Sequence, residues 1–94
     1  MPELELDDAR WDFDRNAMRF PARLDDGTRI DVLVSQEALN DLAGLEDTAE
    51  NARRTFDANH DVVETAAEGR IKRGDFNAPG EIIVGIADLQ HAAR

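Results

Sequence analysis

Apolar and polar residues alternate on both sides of a turn that Asp25, Asp26 and Gly27 predict. Phe20 and Ala22 precede the turn at every second position, and Ile30 and Val32 follow it at the same spacing. Period-two alternation around a Gly-containing loop is typical of a β-hairpin. The alternation also fixes the register, because a slip of one residue would place apolar side chains against polar ones. The predicted cross-strand pairs are Leu24–Thr28, Ala22–Ile30, Phe20–Val32 and Met18–Val34.

The residues before the hairpin give weaker signals. Leu4 and Leu6 alternate with glutamates, which favours a short edge strand. Trp11 and Phe13 lie two residues apart, so one face of that stretch is expected to pack against the core. Pro21, within the first strand of the hairpin, has no N–H to donate. We therefore predict that this strand lies at a sheet edge or is bulged at the proline.

Helical spacing of apolar residues follows the hairpin. Ser35 suits an N-cap, because its hydroxyl can accept a hydrogen bond from an unpaired N–H of the first turn, and Gly44 suits the helix end. Later, Gly74 follows a basic helix end. The predicted elements are a helix over 36–43, a second helix from Asp47 or Thr48, a third over 60–73, a strand over 81–87 and a frayed tail over 90–94.

These elements predict a single α+β domain over residues 1–94, with an ordered core at about 3–89. We expect a three- or four-stranded antiparallel sheet with two or three helices packed on one face. The predicted core consists of Phe20, Val32, Val34, Leu39, Leu42, Phe56, Val63 and Ile82.

Composition narrows the function classes. The chain has no cysteine, which excludes disulfides and thiolate metal sites. It has no apolar run of the roughly 18–20 residues that cross a bilayer, and its first residues lack the pattern of a signal peptide. The net charge of −10 repels phosphate backbones and anionic membranes. We therefore expect a cytoplasmic protein that binds neither membrane nor nucleic acid.

The order and spacing of several short motifs resemble DUF1488, an uncharacterised family of short bacterial proteins. The resemblance covers roughly residues 3–89 and implies a small fold with helices packed on an antiparallel sheet. It implies no activity, so no catalytic residue is transferred from it. The motifs that carry it are Trp11-Asp12, Arg19-Phe20-Pro21-Ala22, Gly27, Ser35 with Ala38-Leu39, Phe56-Asp57-Ala58-Asn59, Ala66-Ala67-Glu68, Gly80-Glu81-Ile82-Ile83 and Asp88-Leu89.

An arginine-bearing face of the hairpin is the main candidate site. The register places Arg23 opposite Arg29, a like-charge pair that is destabilising unless acids lie nearby, and Arg19 lies on the same face. The plainer interpretation is a solvated face on which neighbouring aspartates neutralise the arginines. The functional interpretation is a docking face for an acidic partner segment or a phosphate, to which Leu33 adds apolar area. The segment carrying Trp11 and Phe13 could also cover these residues.

A second candidate lies on the third predicted helix. His60 and Glu64 are four residues apart and share a helical face, as two metal ligands or an acid–base pair would. No other His or Cys cluster supplies further ligands, so no catalytic residue, cofactor or metal is predicted. The sequence therefore favours a non-enzymatic interaction or regulatory module with an unidentified protein partner. The alternatives are a homodimer formed by sheet pairing and, third, metal or acid–base chemistry at His60 and Glu64.

Overall fold

The predicted hairpin is present with its predicted register. In the computed structural model, which describes residues 2–94, it forms strand β3, Ala17–Arg23, and strand β4, Arg29–Ser35. At the turn, the Leu24 N–H donates to the Thr28 carbonyl oxygen over 2.8 Å, and Gly27 has a φ of 86°. The four expected pairs therefore hold, and so does the opposition of Arg23 and Arg29.

The sheet is larger than expected and mixed. Within the described part of the chain it has five strands, and the three besides the hairpin are β1, Glu3–Leu4, β2, Arg10–Asp12, and β5, Glu81–Val84. Strands β1 and β2 both pair antiparallel with β3, β3 pairs with β4, and β4 pairs with β5. The β4–β5 pair is parallel, which corrects the expectation of a wholly antiparallel sheet. The helices between these two strands return the chain to the starting end of β4, and such a crossover gives parallel strands.

Pro21 shows why the expectation of an edge strand was wrong. Strand β3 lies inside the sheet, because β1 pairs with residues 22–23, β2 pairs with 17–19, and β4 covers the other side. The Pro21 carbonyl accepts the Glu5 N–H over 3.0 Å, so its nitrogen also faces the gap between β1 and β2. No ladder donor is lost there, because the proline lies at the gap between the two short strands that pair with this side of β3. The register with β4 is continuous through Pro21, so the strand is not bulged there either.

The helical segments follow the predicted boundaries closely. The Ser35 hydroxyl accepts the Ala38 N–H over 3.1 Å at the first helix, which Gly44 ends with a φ of 67°. Thr48 caps the second helix in the same way by accepting the Asn51 N–H. The first three helices are α1, Gln36–Ala43, α2, Ala49–Ala58, and α3, His60–Lys72.

A fourth helix, α4, Ile86–Ala92, replaces the end of the predicted strand and part of the predicted tail. The strand expected over 81–87 ends at Val84, and residues 90–92 are helical. The Asp88 carboxylate accepts the Gly85 N–H over 2.9 Å and so caps the helix start. Leu89 then packs into the core. Ile82, Val84 and Ile86 continue the period of two across this boundary, which is why the pattern favours a strand.

The core lies between the sheet and the helices, which cover one face. Seven of the eight predicted core residues are buried, and Leu42 is half-buried against the same cluster. Trp11 packs against the cluster, whereas Phe13 is 81% exposed, so only one of these aromatic residues behaves as expected. None of the helices within residues 2–94 is long and apolar enough to cross a membrane.

Candidate interaction surface on the open face of the sheet

The side of the sheet opposite the helices, here called the open face, carries the arginines singled out by the sequence. Because side chains alternate along each strand, the even-numbered residues of β3 and β4 enter the core and the odd-numbered ones point away from it. The side chains assigned to this face by position, register or contact are Glu3, Glu5, Arg10, Asp12, Arg19, Pro21, Arg23, Arg29, Asp31, Leu33, Glu81 and Ile83.

The predicted like-charge pair, Arg23 and Arg29, lies at one end of this face. The Arg29 guanidinium approaches a carboxylate oxygen of Glu5 at 4.0 Å, and both side chains are well exposed. Glu3 stands opposite Arg23 in β1, yet no carboxylate of residues 2–94 lies within ion-pairing distance of Arg23. Arg29 is thus weakly neutralised by Glu5, whereas Arg23 has no ion-pair partner among residues 2–94.

A second like-charge pair, Arg10 and Arg19, was missed by the sequence analysis. The two residues face each other across β2 and β3. The Arg19 Nε lies 3.4 Å from Oδ2 of Asp12, whereas Arg10 has no ion-pair partner in the described chain. Strand β2 has only three residues, too few for a periodic signal to identify it as a strand or to place Arg10 on a face.

Arg10, Arg19 and Arg29 line a groove of about 580 Å³ that runs across the strands, and Arg23 is not among its lining residues. Along β3, the short ring of Pro21 lies between Arg19 and Arg23, so the long side chains rise on either side of it. Such a shape presents several guanidinium groups toward one ligand. The groove is lined by Asp8, Arg10, Arg19, Pro21, Arg29 and Asp31, among others.

Acidic residues form a like-charge pair of their own beside the groove. Asp31 in β4 stands opposite Glu81 in β5. Arg15 donates two hydrogen bonds to the Glu81 carboxylate, at 3.0 and 3.2 Å, and these bonds hold the pKa of Glu81 below its ordinary value. Asp31 has no side-chain partner within residues 2–94. Because Arg15 neutralises Glu81, Asp31 is the free carboxylate of the Asp31–Glu81 pair. In the same way, Arg10 is the free guanidinium of the Arg10–Arg19 pair.

Leu33 does not contribute the apolar area expected of it, because its side chain is only 1% exposed. It stands between Arg19 in β3 and Ile83 in β5, and arginine stems readily cover apolar neighbours. Of the four residues that the sequence assigned to the site, Arg19, Arg23 and Arg29 thus share the open face with accessible side chains, and Leu33 lies beneath it.

His60 and Glu64 do not belong to a larger cluster. The His60 ring meets the edge of Phe56 with ring centroids 5.0 Å apart, and its Nε2 is buried without a hydrogen-bond partner in the described chain. Across residues 2–94, no group of three or more His, Cys, Asp or Glu side chains is arranged to hold a metal ion. The observed contact of His60 is therefore one of aromatic packing.

Comparison with known proteins identifies a family and a similar solved structure. The sequence model of DUF1488, described as a protein of unknown function, matches residues 6–84. The chain is also similar to the crystal structure of a DUF1488 protein of unknown function from Shewanella loihica PV-4, with 28% sequence identity and a TM-score of 0.71. That match covers 88% of this chain and 90% of the other. No curated protein matches the chain.

Proposed function

The chain belongs to the DUF1488 family, and from its open face we propose that it is a non-enzymatic interaction module. The open face docks a protein surface that bears carboxylates. The observation that carries the proposal is the groove, in which Arg10, Arg19 and Arg29 line one depression and Arg10 lacks an acidic partner among residues 2–94. An exposed, unpaired guanidinium offers planar, paired donors that match a carboxylate.

The charges in the groove favour a protein over a nucleic acid. Asp8 and Asp31 share the groove with the three arginines and would repel the continuous phosphates of a polyanion. The net charge of −10 adds long-range repulsion. A protein surface carries both signs of charge and can place cations near these aspartates, so it fits the groove better.

The site is held in shape before any partner arrives. Oδ1 of Asp12 accepts the N–H groups of Asp14 and Arg15, at 3.0 and 3.1 Å, which fixes the turn between β2 and β3. Oδ2 of the same side chain contacts Arg19. Contacts that fix a binding surface in advance reduce the entropy lost on binding, and this supports a docking role.

The edge of β5 offers little to a pairing strand, which counts against dimers formed by sheet extension there. The Glu81 N–H donates to the Ala78 oxygen and the Glu81 oxygen accepts the Asn77 N–H, each over 3.0 Å. The Ile83 N–H donates to Oδ1 of Asn77 over 2.7 Å. The loop before β5 thus already occupies these edge groups.

The test is quantitative capture of proteins from an extract of the source cells, with immobilised wild type, Arg10→Glu and Arg53→Glu. Arg53 is an exposed residue of α2, so its substitution matches the charge change away from the open face. We expect Arg10→Glu to lose partners that wild type and Arg53→Glu both retain. Equal capture by all three proteins, with equal melting temperatures, would remove the open face as the docking site.

A further inference from the structure

We infer that the partner docked by the open face is a second copy of this chain, placed face to face. The inference rests on the proposed function, since it names the occupant of the same surface. Two features carry it: the distribution of charge over the molecule, and the positions of Arg10 and Asp31 on opposite sides of the groove.

The open face carries almost no net charge, so two copies repel each other little there. Together with the groove residue Asp8 and with Arg15, which bridges to Glu81, it holds five arginines and six carboxylates. Nearly all of the net charge of −10 therefore lies elsewhere. Any contact between the more acidic helical surfaces brings like charges together, whereas the open face approaches a second open face almost without net charge.

Arg10 and Asp31 make this face complementary to itself. Arg10 lies on β2 and Asp31 on β4, with Pro21 of β3 in the groove between them. Two strand spacings separate the two residues sideways, roughly 10 Å. The register sets Arg10 level with Arg19 and Asp31 level with Pro21. A twofold axis that lies parallel to the sheet and passes above β3 between Arg19 and Pro21 brings Arg10 of one copy opposite Asp31 of the other, and the symmetry repeats the contact.

Each of these contacts supplies what the single chain lacks. Arg19 and Glu81, the strand neighbours of Arg10 and Asp31, already have partners in Asp12 and Arg15. Arg10 and Asp31 have none among residues 2–94. A second copy would neutralise both Arg10 and Asp31, and it would do so twice in one interface.

The experiment is a charge exchange followed by sedimentation velocity, from 5 µM to 1 mM protein in 0.15 M NaCl. At this ionic strength the Debye length is about 8 Å, so the net charges are largely screened. We expect wild type to dimerise and Arg10→Glu and Asp31→Arg each to raise the dissociation constant at least about tenfold. An equimolar mixture of the two variants should restore the dimer, because each variant then faces an opposite charge at both contacts.

Arg53→Glu serves as the matched control and should dimerise as wild type does. A wild type that stays monomeric throughout, or variants that dimerise equally well alone and mixed, would overturn the inference. Circular dichroism melting of each variant confirms folding, and Asp31→Asn, also expected to weaken the dimer, replaces Asp31→Arg if that variant does not fold. Wild type could be monomeric in sedimentation while Arg10→Glu still loses partners in the capture experiment. That combination would overturn docking to a second copy and leave the proposed function standing.

Discussion

Arg15 and Glu81 lie 66 residues apart in the chain and meet in a two-hydrogen-bond ion pair on the open face. The pair connects the turn between β2 and β3 to the start of β5, at opposite sides of the sheet. It also neutralises the carboxylate beside Asp31. One contact thus links two distant parts of the open face and leaves Asp31 as the free acid of the Asp31–Glu81 pair.

The first prediction concerns pH. The pKa of Glu81 is lowered from an ordinary value of 4.5, first by the hydrogen bonds from Arg15. Because the folded state favours the charged form, the stabilisation is complete above that ordinary value and is lost as the pH falls through the lower, folded value. The melting temperature of wild type should exceed that of Glu81→Gln at pH 7, and the difference should shrink below about pH 4.5.

Comparison with Glu64→Gln, an exposed residue beyond the first turn of α3, separates this effect from the general relief of acidic repulsion. A difference between wild type and Glu81→Gln that grows on acidification would contradict the assignment.

The second prediction contrasts two glycines. Gly44 ends α1 with a φ of 67°, so Gly44→Ala should destabilise the protein by about 1 kcal/mol. Gly69 lies inside α3, where an added Cβ would meet only the flexible end of Arg73 at 3.4 Å. Gly69→Ala should therefore stabilise by up to about 1 kcal/mol, because alanine favours helix. Urea unfolding of both variants should show shifts of opposite sign, and shifts of the same sign would refute the argument.

The third prediction contrasts two phenylalanines. Phe56 is buried against Phe20, with ring centroids 6.0 Å apart, and Phe56→Ala should cost about 3–5 kcal/mol, enough to unfold so small a domain. Phe13 is exposed, and Phe13→Ala should change stability by no more than about 0.5 kcal/mol. Thermal and urea unfolding measure both. A Phe56→Ala protein with the wild-type midpoint would show that the core is assigned wrongly.

The fourth prediction concerns the loop that covers β5. Oδ1 of Asn77 accepts hydrogen bonds from Nη2 of Arg70, at 2.6 Å, and from the N–H of Ile83, at 2.7 Å. Asn77→Ala removes both and should cost about 1–2 kcal/mol in urea unfolding. Gln90→Ala, which loses one exposed bond to Asp41, should cost less than about 0.5 kcal/mol. Equal costs would mean that the loop does not stabilise the edge.

Local sequence signals were sufficient to predict the strands with alternating apolar residues and the helices with recognisable capping residues. The hairpin register follows from alternation, and α1 follows from Ser35 and Gly44. Strand β2 and helix α4 were missed because each is short and owes its place to partners distant in sequence. The parallel β4–β5 pair depends on how the helices return the chain, which no local pattern records.

Some residues of the candidate site could likewise be placed from local sequence, and others could not. Arg23 and Arg29 could be paired from the hairpin alone. Arg10 could not be placed, because its face is set by β2. Leu33 was expected to be exposed, because alternation assigns it to the open face. Alternation does not reveal that Arg19 and Ile83 flank it on that face, where it is buried.

The most direct test of the docking account is an NMR dilution series of ¹⁵N-labelled wild type, from 1 mM to 20 µM in 0.15 M NaCl. The account predicts concentration-dependent amide shifts that cluster on the open face, at Arg10, Arg19 and Asp31, and leave the outer surface of α2 unchanged. Shifts confined to the helical surface, or a spectrum that does not change on dilution from a protein whose ¹⁵N relaxation is that of a monomer, would contradict docking of the open face to a second copy.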